Sequence, residues 1–111
     1  MKKMDTGEKS DMIKHIVMWR LKEFADNATK QENAEKLKEK LESLRDKIEE
    51  IKAIEVGINV NPAEAAFDVV LYSEFENLEA LNVYQNHPEH IKIVDFVTRI
   101  RTDRCVVDYE K

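Results

Sequence analysis

Cysteine is nearly missing from this sequence. Cys105 is the only one, which rules out an intramolecular disulfide and any CxxC redox or zinc arrangement and makes a reducing, cytoplasmic setting the plain reading. Glycine and proline are scarce too, two of each, so glycine-rich phosphate loops, long Gly/Ser linkers and low-complexity tracts are absent. No apolar run approaches the roughly 18 residues that span a bilayer, and a membrane partner is not expected. A basic stripe is lacking as well. With 18 Lys and Arg against 23 Asp and Glu, the net charge is −5 and the two signs interleave, which disfavours nucleic acid as a partner. There is no HExxH pair and no glycine elbow around a serine, so neither a zinc hydrolase nor a serine hydrolase is indicated.

What is present suits one small globular domain. Apolar residues make up 42% of the 111 and charged residues 37%, enough for a modest core. Met1 to Asp11 is polar and aperiodic and reads as a disordered leader. Its early lysines are followed by no apolar stretch, so it is not a signal peptide. The domain proper is expected to span residues 12–111.

Within it, IKHIVMWRLK (Ile13 to Lys22) alternates as a strand. Ile13, His15, Val17, Trp19 and Leu21 share one side, while Lys14, Ile16, Met18 and Arg20 share the other. Thr29 and Glu32 form a capping box. Beyond it Ala34, Leu37, Leu41, Leu44, Ile48 and Ile51 make one apolar stripe, predicting a helix to about Glu50. Ala53 to Val60 and Phe67 to Phe75 read as two strands joined by the turn at Asn61 to Ala65, an antiparallel hairpin. Asn77 caps a second helical region carrying Leu78, Leu81 and Tyr84. His87-Pro88 interrupts that region, and Pro88 opens a further helical stretch through Ile91, Val94 and Val97. Arg104 to Tyr109 supplies the last strand.

This βαββαβ order predicts an α+β, ferredoxin-like domain: a four-stranded antiparallel sheet with both helical stretches on one face. Ile16, Met18, Val70, Tyr72 and Val106 then remain on the uncovered face. Burying them against the sheet of a second copy gives a homodimer.

The densest polar constellation is YQNHPEH, Tyr84 to His90. With His15, whose side chain falls on the helix-facing side of its strand, it offers two readings. In one, His90 is a base, Tyr84 orients a substrate and His15 forms a second polar wall of an acid–base site. In the other, His87 and His90 cap helix ends around Pro88, Tyr84 packs its ring and His15 is a satisfied core residue. His87 and His90 with Glu89 make no zinc signature, and Asp68, Glu74 and Asp108 have no cation-binding spacing, so no metal and no cofactor is expected. Cys105 reads as inert packing, Trp19 as core, and Gly57 as a bulge or a close approach within its strand.

The segments IKHIVMWRLK, FDVVLYSEFENLEAL and YQNHPEHIKIVDFV, in that order, resemble the stress-responsive A/B barrel domain family from Met12 to Tyr109. The resemblance implies a dimeric α+β barrel, closed by two ferredoxin-like sheets. It implies a stress-related protein of unassigned role, which could bind a small apolar or aromatic ligand, or else a cofactor-independent cyclase, isomerase or monooxygenase. The family includes the plant olivetolic acid cyclase, whose catalytic tyrosine and histidine match Tyr84 and His90 and whose further pocket histidine matches His15. These residue types are common in the family. A second pocket histidine of that enzyme has no counterpart here, where Asp68 and Val69 stand, so polyketide cyclisation does not carry over.

Overall fold

The computed structural model describes residues 11–111; apart from Asp11, the expected leader lies outside them. Strand β1 (Ile13–Leu21) alternates as its sequence does, with Ile13, His15, Val17, Trp19 and Leu21 buried. It pairs antiparallel with β5 (Val69–Phe75) on one side and β6 (Arg101–Glu110) on the other. Strand β4 (Ala53–Ile58) pairs antiparallel with β5, completing the order β4-β5-β1-β6. Helix α1 (Lys30–Glu42) links β1 to β4, and helices α2 (Leu78–Asn86) and α3 (Pro88–Ile100) link β5 to β6. This is the expected ferredoxin-like α+β fold. The core gathers Leu37 and Leu41 of α1, Leu81 and Tyr84 of α2, and Phe96 and Ile100 of α3 with the inner sides of the strands. Among the described residues, no helix is long and apolar enough to cross a membrane.

The caps lie where the sequence puts them. The Thr29 hydroxyl accepts from the amide of Glu32 at 3.2 Å while the Glu32 carboxylate accepts from the amide of Thr29 at 2.9 Å. Asn77 accepts from the amide of Ala80 at 2.8 Å at the head of α2. His87 ends α2 in an extended conformation and starts α3, its Nδ1 accepting from the amide of Glu89 at 3.1 Å, with Pro88 in the first turn.

Three details depart from expectation. The helix predicted to about Glu50 ends at Glu42 and tightens into a 3₁₀ turn over Ser43–Asp46. Leu44, Ile48 and Ile51 nevertheless stay buried. An apolar stripe records which side is covered, not the pitch that carries it, and the tighter turn swings the chain toward β4. Second, β2 (Phe24–Ala25) and β3 (Ala28–Thr29) form a small hairpin that the sequence reading passed over. Its turn residues, Asp26 and Asn27, have φ of 53° and 61°, the left-handed conformation that Asp and Asn tolerate in two-residue hairpins. Buried Asn33 of α1 ties the hairpin down by donating to the Ala25 carbonyl at 3.0 Å.

The third is a correction. Val106 lies opposite Val17, hence on the helix side of the sheet, while Cys105 and Val107 lie opposite Met18 and Ile16 on the open side. Three successive apolar residues fit a strand in either phase, and only the pairing register decides between them. The open face therefore carries Ile16, Met18, Val70, Tyr72, Cys105, Val107 and Tyr109. Gly57 sits opposite Val70 on that face, where a Cβ would come within 3.2 Å of Val70 Cγ1, so close approach explains the glycine. A polar island interrupts the apolar surface: Lys14 pairs with Glu74 at 3.0 Å, and the Tyr72 hydroxyl donates to the same carboxylate.

Candidate functional site

Between the inner side of the sheet and α3 lies a cavity of about 270 Å³. Its apolar walls are Val17 and Trp19 of β1, Leu41 of α1, Leu71 of β5, and Ile93 and Val97 of α3, and its polar groups include His15, Gln85, His90, Arg101 and Arg104. The alternation of β1 aims His15 here, and the first turn of α3 delivers His90.

His15 is 2% exposed. Its Nδ1 lies 2.5 Å from Oδ1 of Asp108, which stands directly opposite on β6. An ionised carboxylate only accepts, so this nitrogen carries a proton and Nε2 is left for other partners. His90 is fixed in the same way, its Nδ1 donating to the carbonyl of Gln85 at 3.1 Å. The neutral ring therefore keeps its lone pair on Nε2. Burial holds the His90 pKa below the ordinary histidine value; the Gln85 hydrogen bond opposes this, and the charges of His15, Arg104 and His87 reinforce it. A neutral imidazole with its accepting nitrogen fixed is suited to taking a proton.

Tyr84 takes the place given by the second of the two readings, in which its ring packs. It is fully buried and does not line the cavity; it stands behind the two histidines. Its ring centroid is 4.5 Å from that of His90, 6.0 Å from that of His15 and 4.8 Å from that of Phe75. The Tyr84 hydroxyl has no partner among the described residues, and burial raises its pKa strongly, so it stays a protonated donor. Of the three expected site residues, His15 and His90 meet at the cavity while Tyr84 supports them.

His87 is spent on capping α3. His90 caps the last turn of α2 through Gln85 and also lines the cavity. Sequence reasoning missed Arg101 and Arg104 as wall residues and Asp108 as the partner of His15. Nothing local marks them; each depends on strand register. Among the described residues, no group of three His, Cys, Asp or Glu side chains is placed to hold a metal ion.

Residues 13–111 match the Stress responsive A/B Barrel Domain family. The chain belongs to this family. Among solved structures, this A/B barrel domain resembles a dimeric protein of unknown function with a ferredoxin-like fold from Bacteroides fragilis. The two are 39% identical with a TM-score of 0.78, over 90% of this chain and 96% of that one. It also resembles an Arabidopsis thaliana protein, at 25% identity and a TM-score of 0.74, over 89% of this chain and 94% of the other. A hydroxynitrile lyase from Passiflora edulis shares the fold, with a TM-score of 0.77 over 93% and 95% of the two chains. At 16% identity it shares only that. None of the curated proteins matches this A/B barrel domain.

Proposed function

We propose that the protein is a homodimer, closed through its open sheet faces, and that each subunit binds a small, largely apolar molecule in the cavity beneath α3. The cavity carries this reading. A dry cavity of about 150 Å³ takes up benzene, and drug-sized ligands occupy about 300 Å³ or more. A space of about 270 Å³ walled by Val17, Leu71, Ile93 and Val97 therefore suits a compact body of one or two rings. The dimer rests on the apolar open face and on the dimeric Bacteroides fragilis relative. Native mass spectrometry of the purified protein tests both parts. The expected mass is twice 13.0 kDa, with a bound small molecule that is lost when Val97→Trp fills the cavity. A mass near 13.0 kDa at micromolar concentration refutes the dimer, and a ligand retained by the filled variant refutes the site.

A second reading, cofactor-independent acid–base catalysis, is favoured by one observation: His90 is held neutral with Nε2 as its acceptor. In that reading His90 takes a proton from the bound molecule, the ring of Tyr84 backs His90 from behind, and His15, oriented by Asp108, forms the second polar wall. Val69 stands in the neighbourhood where olivetolic acid cyclase has a further pocket histidine, so polyketide cyclisation is not part of this reading. A His90→Ala dimer that kept full turnover on an identified substrate would exclude it.

A further inference from the structure

The polar groups of the cavity are unevenly distributed. At one end His15 is already engaged by Asp108. At the other, Trp19 faces Arg104 across the β1–β6 pair and Leu21 faces Arg101. In a regular strand, residues three apart point to opposite sides of the sheet. Here the register breaks between Arg20 and Leu21: Arg20 lies opposite Asp103 and Leu21 opposite Arg101, which leaves Thr102 as an extra residue. Such a bulge re-aims the side chains that flank it. Both arginines consequently lie on the helix side, and both line the cavity.

Neither guanidinium has a carboxylate partner among the described residues, whereas Arg20 and Arg99 each do. Trp19, also in the wall, is 5% exposed, and its Nε1 is buried with no partner among the described residues. An indole N–H and two guanidinium groups can only donate. This end of the cavity thus holds a buried indole donor without a partner among the described residues, beside the half-buried Arg101 and the exposed Arg104, both positively charged. It does so in a chain whose net charge is −5.

We infer that the ligand is an amphipathic anion, with an apolar ring-sized body among Val17, Leu71 and Val97 and a carboxylate held by Arg101 and Arg104. This rests on the ligand-binding reading above and adds the chemical class to it. The planar fork of arginine matches a carboxylate in two parallel hydrogen bonds, and the indole N–H offers another donor. His90, whose Nε2 is an acceptor, disfavours a carboxylate at its own end.

Calorimetric titration of the full chain with 2-naphthoate and with 2-naphthamide tests the inference. The two probes share a ring system and differ in the charge of one group. The acid is expected to bind about tenfold tighter or more, the scale of one charge-assisted hydrogen bond. In Arg101→Gln/Arg104→Gln the acid loses tenfold or more and the amide distinctly less, so that the preference disappears; circular dichroism confirms the fold of the variant. Equal binding of acid and amide by the natural chain overturns the anion inference and leaves the cavity reading standing. So does a double variant that weakens both probes alike. Failure of both probes to bind the natural chain overturns the cavity reading together with the inference.

Discussion

Tyr84 carries a hydroxyl that the fold encloses without a partner, and an unsatisfied buried group of this kind lowers stability by about 1–3 kcal/mol. Tyr84→Phe keeps the ring against His90 and Phe75 and removes the orphan. The free protein is expected to gain about 1 kcal/mol in urea unfolding. A loss of stability would mean that the hydroxyl already has a partner in solution. His90 gives a pH test. Burial holds its pKa below the ordinary 6.5, so the unfolded chain takes up the proton more readily than the native one. Its contribution to stability is complete above about pH 6.5 and is lost as the pH falls through the native value. His90→Gln should therefore lose stability less steeply than the natural chain on acidification from about pH 7 to 5. Parallel curves would show that His90 is not desolvated. Both histidines of the cavity were legible in the sequence, His15 from the phase of its strand and His90 from its place after Pro88. For Tyr84 the sequence offered both a substrate-facing and a packed place and did not choose between them, because helical spacing gives a direction and not a depth.

The elements themselves followed from short-range signals wherever those signals were complete. Alternation marked β1, and the capping groups of Thr29, Asn77 and His87 placed the heads of α1, α2 and α3. Thr29→Ala removes the oxygen that accepts from Glu32 and should lower stability by about 1 kcal/mol. Equilibrium urea unfolding checks this; a midpoint that does not move would mean that solvent serves the helix end equally well. Where the signal was long-range, the sequence was silent. The apolar stripe continues past Glu42 although the α-helix stops there, because burial continues in the 3₁₀ turn. The bulge at Thr102 has no signature of its own, since it exists only relative to β1. That single extra residue governs the cavity, because without it Arg101 and Arg104 would point to opposite sides. The hairpin of β2 and β3 is a different case: the Asp26-Asn27 pair was a usable turn signal that went unread.

At the scale of the whole molecule, the two sides of the sheet have different fates, and neighbouring valines of β6 separate them. Val106 and Val107 are similarly exposed in the single chain, at 46% and 53%. Exposure alone therefore treats them as equivalent. Register does not, placing Val107 with Ile16 on the open side and Val106 with Val17 on the side of the helices. In a dimer closed through the open faces, Val107→Glu forces a carboxylate into an apolar interface. An uncompensated charge of that kind carries a penalty of several kcal/mol, and each 1.4 kcal/mol weakens association about tenfold. The carboxylate introduced by Val106→Glu would instead face the helix side near the exposed edge of β6, where it stays in water. Light scattering coupled to size-exclusion chromatography should then find Val107→Glu near 13.0 kDa and Val106→Glu at twice that mass. The reverse outcome would mean that the copies join through the helix side or the β6 edge, and two intact dimers would place the interface away from both valines.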